Sequence, residues 1–223
     1  MPQPDNTEQR ILRAAVEVFL QHGKDGARMQ AIAERAGVNK ALLHYYFRSK
    51  DRLYFRVLSD MFQEAVESVL SSIPKEGSFR EFLSAFVSNY VDHLAANPRL
   101  IRFVLWEVGK GWQQPEETSV VGTIFRQALE RYTGGRNLLL ETIRQAVERG
   151  EIRPVDPLQL ALNLLAVCVY PFVARPLLEG VFPRLDVLSE DFLRIRKREI
   201  VDLFWKGLKP PVTHGTLVEE GSE

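Results

Sequence analysis

The chain has 223 residues, 45% of them hydrophobic, and equal numbers of basic and acidic residues give it a formal net charge of zero. This length fits one large domain or a small domain joined to a larger one, and the hydrophobic content is ordinary for a globular protein with a sizeable core. The single cysteine, Cys168, excludes an internal disulfide and is consistent with a reducing compartment. The opening residues Met-Pro-Gln-Pro-Asp lack the pattern of a signal peptide, so a cytoplasmic location is expected.

The charge is unevenly distributed along the chain. Residues 1–50 hold eight Lys and Arg against five Asp and Glu, a net charge of +3, whereas residues 51–223 carry −3. A net charge of zero argues against nucleic-acid binding by the chain as a whole. A basic N-terminal segment, however, is where a DNA-binding head would need positive charge.

The hydrophobic periodicity predicts an all-α protein of about nine helices, of which the first three are short and the later ones long. Pro and Gly fall between the amphipathic stretches, and no alternating strand pattern occurs. The first predicted helix covers residues 6–22 and stops at His22-Gly23. The next three cover residues 29–36, 40–46 and 50–73.

Two long apolar helices are predicted near the end of the chain, over residues 157–180 and 189–208. The segment 158–174 is the most membrane-like, but it is short for a span and contains Gln159, Asn163 and Pro171. A buried or interfacial helix is therefore the better interpretation, with Pro171 expected to kink it. The resulting division is a head at 1–49, a larger domain at 50–209 and a disordered tail at 210–223.

The segment from residue 28 to 47 has the spacing of a helix-turn-helix motif. Ala33 is small where two helices would cross, and Gly37 stands where a sharp turn needs a positive φ. Leu43 and Phe47 lie one turn apart, so both can face the same small core. The opposite side of helix 40–46 then presents Lys40, Ala41, His44 and Tyr45, a face suited to the major groove.

Each residue of this face has a chemistry that DNA can use. Lys40 can reach phosphate or guanine, Asn39 can pair with adenine or cap the helix, and Ala41 allows close approach to bases. Lys50 would stand at the first turn of a long helix, where the dipole already attracts phosphate. The alternative is that Tyr45 and Tyr46 are packing residues and Lys50 is merely solvated. The predicted DNA-binding set is Arg28, Gln30, Asn39, Lys40, Ala41, His44, Tyr45, Tyr46 and Lys50.

Residues 8–54 resemble the N-terminal domain of the TetR/AcrR family of bacterial transcriptional regulators. The run IAERAGVNKALLHYYFRSKDRLY from Ile32 to Tyr54 follows the family pattern through Phe47, Lys50 and Leu53. Three local departures put the DNA sequence that is read in doubt. Arg28 stands where Ser or Thr usually caps the second helix, Asn39 replaces Ser, and His44 replaces a common Tyr.

The resemblance implies that the later helices form a ligand-binding and dimerisation domain, whose last two long helices pack against those of a second copy. The helix at 157–180 is apolar almost all round, which an interface would explain; an ordinary core helix is the alternative. The expected interface residues are Leu164, Val167, Phe172, Phe192, Ile200, Leu203 and Phe204.

A ligand pocket is expected where aromatic side chains crowd the middle of the chain, with a few polar residues to orient a mostly apolar or aromatic effector. Aromatic residues at helical spacing are also typical of plain core, and that alternative stays open. The expected pocket residues are Phe62, Val66, Phe86, Asn89, Tyr90, His93, Phe103, Trp106, Phe125 and Asn163.

No catalytic constellation, phosphate loop or metal-ligand spacing occurs in the sequence, so neither an enzyme, nor a metal, nor a cofactor is expected. Cys168 lies in an apolar helix, where a thiolate is disfavoured. The resemblance implies a homodimeric repressor that binds operator DNA and is released by a small effector. The alternative is a helical DNA-binding or interaction protein with no effector.

Overall fold

The computed structural model describes residues 6–74, 76–113 and 120–210, with the side chains of residues 110–113 left out. Within these ranges the chain is all-helical, as predicted, but it forms eleven helices rather than about nine. The predicted tail at 210–223 lies outside the described residues except for Pro210. The helices are α1 Thr7–Gly26, α2 Met29–Ala36, α3 Lys40–Phe47, α4 Lys50–Leu70, α5 Phe79–Ala96, α6 Pro98–Gln113, α7 Val120–Thr133, α8 Leu138–Glu148, α9 Pro157–Val173, α10 Arg175–Val181 and α11 Glu190–Leu208.

Short polar side chains fix where most of these helices begin. Asn39 accepts a hydrogen bond from the backbone N–H of Leu42 at 2.7 Å and so caps α3. Ser78 and Glu81 form a reciprocal capping box at the start of α5. These side chains give partners to backbone N–H groups that the first turn of a helix leaves unpaired. The caps of the other helices are Asn6 for α1, Ser49 for α4, Asn137 for α8, Asp156 for α9 and Ser189 for α11.

The buried side chains form two cores, and α4 contributes to both of them. The first core joins α1, α2 and α3 to α4 from Leu53 to Val66 and also takes in Phe103 of α6 and Ile124 of α7. The second core surrounds α5 with α8, α9 and α11. Packing therefore crosses the predicted boundary at residue 50, since the head shares its core with the larger domain.

The predicted helix over 157–180 is two helices, which corrects the sequence interpretation. Pro171 has no N–H to donate to Val167 O, and Arg196 Nη2 donates to that carbonyl instead, at 2.7 Å. A second proline, Pro176, then lies in the first turn of α10, where its missing N–H is tolerated. The two helices are bent by 64° across Ala174.

Among the described residues, no single helix is both long and apolar enough to cross a membrane. The bent pair of α9 and α10 reaches the required length and composition only when the two helices are taken together.

Candidate nucleic-acid interface and effector region

Helix α3 has one buried side and one exposed side, which confirms the predicted division of its residues. Leu43 and Phe47 are buried in the first core. On the other side Tyr45 is 78% exposed, and the flanking Tyr46 is 38% exposed and meets the Tyr45 ring edge-on at 5.6 Å. Lys40, Ala41 and His44 are exposed on the same outer surface. The outer face of α3 is thus aromatic and basic.

The turn between α2 and α3 depends on Gly37, which has φ 63° and ψ 38°. Its N–H and that of Val38 donate back to Glu34 O and Ala33 O, which closes α2 with a left-handed cap. Arg10 of α1 holds the same turn from outside, because its guanidinium donates to Ala36 O at 2.6 Å and to Gly37 O at 2.9 Å. This role of Arg10 was not predictable, since nothing in the local sequence pattern identifies a contact 26 residues away.

Lys50 is already engaged within the head, which corrects the expectation of a lysine free for phosphate. Its Nζ donates to Asp25 O at 2.9 Å and to Ala27 O at 3.1 Å. Two of its three N–H donors therefore satisfy carbonyls at the end of α1. Asn39 likewise acts as the cap of α3, the second of the two roles that its chemistry allowed.

At the start of α2, Arg28 and Gln30 are both exposed. Arg28 occupies the N-cap position without a side-chain hydrogen bond, so its guanidinium does not replace the usual cap. Gln30 Nε2 donates to Glu34 Oε1 at 2.8 Å.

Arg48 is an exposed basic residue beside this surface that the sequence analysis left out of the DNA-binding set. It has φ 45°, an uncommon value for a residue with a side chain. His44 Nδ1 lies 3.3 Å from Arg48 O, so in the tautomer protonated at Nδ1 it donates to that oxygen. Nε2 of His44 then remains as an acceptor on the outer face of α3.

Helix α6 is attached to the head at three points. Arg102 Nη2 donates to Leu20 O of α1 at 3.2 Å. Tyr54 Oη of α4 donates to Glu107 Oε1 at 2.5 Å, and burial together with this bond raises the pKa of Tyr54. The ring of Trp106 lies so close to Gly23 that a Cβ there would come within 2.3 Å of Trp106 Cζ2. A movement of α6 would therefore act directly on α1 and α4.

Gly23→Ala is expected to destabilise the protein by more than the same change at Gly150. Gly23 has φ 65° and ψ 176°, a conformation that alanine adopts at a cost of about 1–3 kcal/mol. The added methyl would also displace Trp106, whereas at Gly150, with φ 69°, it meets nothing within 4 Å. Urea unfolding of both variants measures the difference. Equal losses would show that the contact with Trp106 contributes nothing, and adding Trp106→Ala to Gly23→Ala should recover the steric part.

The residues expected to form one effector pocket do not surround a common cavity. Phe62, Val66 and Phe103 are buried in the first core, and Phe86 is buried in the second core, stacked on Phe82. Their helical spacing therefore reflects core packing, which was the alternative left open. Others belong to the wall of the second core or to the surface: Asn89 donates to Val69 O, burial raises the pKa of Tyr90 to about 12, and Trp106, Phe125 and Asn163 are exposed.

The described residues include a distal cleft and a junction cleft. The distal cleft has a volume of about 750 Å³ and lies between the end of α4, the start of α5, the end of α7 and α8. The junction cleft has a volume of about 410 Å³ and lies between α1, α4 and the α5–α6 corner. Of the expected pocket residues only His93 lines either one, at the junction cleft. The distal cleft is lined in part by Ser71, Glu76, Phe79, Phe82, Tyr132, Arg136, Glu141, Thr142, Gln145 and Arg149.

The expected dimer interface is also corrected in part. Leu164, Phe172 and Ile200 are buried in the second core of the same protomer, so they offer no surface to a partner. Val167, Phe192 and Phe204 are half-buried against that core, and only Leu203, at 65% exposure, faces fully outward. The exposed apolar side chains of α9, α10 and α11 are Leu158, Leu162, Tyr170, Leu177, Val181, Ile195 and Leu203, and the surface they form is called the outer face of α9–α11. On α11 this surface also carries exposed charged residues, among them Arg194 and Arg198.

Within the described residues, no group of three or more His, Cys, Asp or Glu side chains is placed to hold a metal ion. Cys168 is buried, and burial raises the pKa of its thiol to about 12.

Two family models match most of the chain. The model described as "Bacterial regulatory proteins, tetR family" matches residues 11–57, and the one described as "Tetracyclin repressor-like, C-terminal domain" matches residues 79–204. The HTH-type transcriptional repressor SCO4008 of Streptomyces coelicolor is 33% identical over 207 residues, which cover 89% of this chain and 97% of that protein. The HTH-type transcriptional regulator RutR of Escherichia coli K12 is 30% identical over 206 residues, with coverages of 90% and 89%.

Solved structures agree with this assignment at the level of the fold. The transcriptional regulator SCO4942 from Streptomyces coelicolor superposes with a TM-score of 0.66 at 22% identity, covering 92% of this chain and all of that one. FadR from Bacillus subtilis, solved in complex with stearoyl-CoA, gives a TM-score of 0.64 at 19% identity, with coverages of 89% and 97%. The head exposes α3 of a helix-turn-helix motif, and the family models and the relatives match the chain over most of its length. The chain therefore belongs to the TetR family and is a DNA-binding transcriptional regulator.

Proposed function

We propose that the protein is a homodimeric repressor that reads operator DNA with α3 and releases it when a small amphipathic effector binds the distal cleft. The observation that carries the DNA-binding part is the outer face of α3, where Tyr45 is 78% exposed among basic side chains. A large aromatic side chain with so little intramolecular contact favours a binding role over a packing role.

In this proposal α3 enters the major groove with Lys40, Ala41, His44 and Tyr45 towards the bases. Arg28 and Gln30 at the start of α2 reach the phosphate backbone, where the N-terminus of a helix also attracts anions. Arg48 extends the same basic surface. Lys50 positions α4 against the end of α1 and has a single N–H left for a phosphate.

The second copy is expected to cover the outer face of α9–α11. Seven exposed apolar side chains form this face, and a two-fold interface would bury them against the same residues of the partner. Two heads held in this way would read half-sites about 34–36 Å apart.

The distal cleft is proposed for the effector because it is the larger of the two clefts described and its volume lies in the range of about 300–1,000 Å³ typical of ligand sites. Tyr132 supplies exposed aromatic surface, Phe79 and Phe82 belong to the lining but are largely buried, and Arg136 and Glu141 make no ion pair within the described residues. This lining changes the expected effector from a mostly apolar molecule to one with both apolar and charged groups. Structural neighbours respond to or bind different molecules: FrrA is a flavonoid-responsive regulator, and FadR was solved with stearoyl-CoA.

Coupling between effector and head is proposed to run through α7, α4 and α6. The distal cleft is lined by the ends of α4 and α7, which pack along each other, and α6 holds the head through Arg102, Trp106 and Glu107. An effector can shift the heads only to the extent that it binds the released conformation more tightly.

A blocked cleft tests the effector part of this proposal. A panel of aromatic and medium-chain carboxylates is screened for a rise in Tm, and an effector at 100 times its Kd should stabilise the protein by about 2.7 kcal/mol. Gln145→Trp should abolish that rise by filling the cleft, and should also prevent the effector from releasing upstream DNA in a mobility-shift assay. Arg144→Trp, one residue away but outside the lining, is the control and should leave both responses intact.

A second candidate is a DNA-binding regulator with no effector. The burial of Phe62 and Phe103 in the first core and of Phe86 in the second core favours it, because residues expected to line a pocket are covered by the protein itself. This candidate would be supported over the first if the protein shifts upstream DNA while no compound of the panel changes its Tm.

A further inference from the structure

The junction cleft touches both the head and the larger domain. Val16 of α1 forms its head side, and Met61 and Glu64 of α4 form a second wall. The α5–α6 corner, from Ala96 to Leu100, forms the remainder. Its volume of about 410 Å³ suits a small organic molecule.

Two opposite charges line this cleft without meeting. Glu64 on α4 and Arg99 at the start of α6 are both exposed. Neither makes a hydrogen bond or ion pair with any described residue, and no salt bridge joins the two across the cleft. A ligand carrying both a positive and a negative group could contact Glu64 and Arg99 at the same time.

The helix ends at this corner favour the same charge arrangement. α5 ends at Ala96 and α6 begins at Pro98, so a C-terminal and an N-terminal helix pole meet at Asn97. The first turn of α6 holds no acidic residue, so no carboxylate of that turn neutralises the positive pole of the helix. Arg99 adds to this positive charge, and the pole can therefore attract an anionic group. The negative pole of α5 and the carboxylate of Glu64 favour a cationic group.

Asn97 holds this corner in place. Its Nδ2 donates to His93 O at 2.9 Å and lies 3.3 Å from His93 Nδ1, so both protons of the amide are engaged by His93. The Oδ1 atom of Asn97 accepts no hydrogen bond within the described structure and is available to an ammonium group. Because the corner is fixed before a ligand arrives, little ordering is required on binding.

His93 adds a buried polar atom to the wall of the cleft. Only 6% of His93 is exposed, burial lowers its pKa, and its Nε2 has no hydrogen-bond partner. With Nδ1 facing the Asn97 amide, the neutral ring carries its proton on Nε2. Buried donors without a partner are rare, so His93 leaves an unsatisfied polar atom beside the cleft.

We propose that the junction cleft is a binding site for a small zwitterion, an α-amino acid with an apolar side chain. The carboxylate contacts Arg99 and the first turn of α6, the ammonium contacts Glu64 and Asn97 Oδ1, and the side chain packs on Val16, Met61 and Leu100. This site is separate from the distal cleft. Because it bridges α1 and α4, its occupant stabilises one placement of the head against the larger domain and thereby changes affinity for DNA.

Calorimetric titration of the full chain tests this site without DNA. The probes are L-alanine, L-valine, L-leucine and L-methionine, together with two analogues of leucine that keep one charge each, isoamylamine and 4-methylpentanoate. At least one of the four amino acids should bind. Both leucine analogues should bind more weakly than L-leucine, because each lost charge contact at an exposed site weakens binding by about two- to five-fold. Glu64→Gln and Arg99→Gln should each weaken binding of the amino acid by a similar factor.

Glu148→Gln and Arg144→Gln remove the same charges from exposed positions on α8 outside both clefts and should leave amino-acid binding unchanged. Binding should also persist in Gln145→Trp, which blocks the distal cleft, so failure of the effector proposal would leave this result intact. The zwitterion site is overturned if none of the four amino acids binds at about 1 mM. It is equally overturned if binding occurs but is insensitive to Glu64→Gln and Arg99→Gln.

Discussion

Tyr45→Ala is expected to weaken operator binding by roughly 5- to 150-fold, the equivalent of about 1–3 kcal/mol for one good base contact. The side chain is 78% exposed, so its removal should change the free energy of unfolding by no more than about 0.5 kcal/mol. Fluorescence anisotropy with labelled upstream DNA measures the affinity, and urea unfolding measures the stability. The loss should be confined to specific DNA, because a neutral ring contributes little to sequence-independent binding.

Tyr132→Ala is the matched control, since Tyr132 is also an exposed tyrosine but lies at the end of α7, far along the chain from the head. It should leave DNA affinity unchanged in the absence of effector. An unchanged operator affinity in Tyr45→Ala would remove Tyr45 from the contact surface. If Tyr45 is instead a packing residue, Tyr45→Ala should lower the free energy of unfolding.

Leu162→Glu is expected to convert the proposed dimer to a monomer and thereby to abolish tight operator binding. Leu162 is 50% exposed in the middle of the outer face of α9–α11, where a partner would bury it. A two-fold interface would bury two such carboxylates, and an uncompensated buried charge costs about 3–5 kcal/mol, so dimerisation should weaken at least about a hundred-fold. Sedimentation velocity measures the mass, and the same anisotropy assay measures DNA binding.

Leu105→Glu is the control for this change, because Leu105 is an exposed leucine of α6 outside the outer face of α9–α11. It should leave the mass of the particle unchanged. If Leu162→Glu sedimented as wild type does, the outer face of α9–α11 would not be the interface, and the exposed apolar side chains there would need another partner.

The head was predictable because its determinants are local. The three-to-four-residue spacing of a helix places Leu43 and Phe47 on the side opposite Tyr45, and both are buried as predicted. Gly37 was identified by the one requirement that only glycine meets without steric cost, a positive φ in a tight turn. The hydrogen bonds of Arg10 and Lys50 to backbone carbonyls were not predictable, because they join residues 23 to 27 positions apart.

The larger domain was predicted only as a set of helices. Aromatic residues at helical spacing identify an apolar face, but they do not say whether another helix or a ligand covers it. From the sequence, Phe62, Phe86 and Phe103 could therefore be either pocket residues or core residues. In the structure they are core residues. The same ambiguity applies to α9, which is apolar almost all round, so that Leu164 and Leu162 could not be assigned to inside and outside.

By itself the sequence determined the all-helical class, the helix-turn-helix head and the outward residues of α3, since helix period, caps and glycine geometry act within a few residues. Tertiary structure alone decided where the clefts lie, which side of α9 is left for a partner, and that α6 holds the head through Gly23, Leu20 and Tyr54. These features depend on which helices pack together across long stretches of chain. Burial energy favours any apolar neighbour, and only the complete packing arrangement selects one.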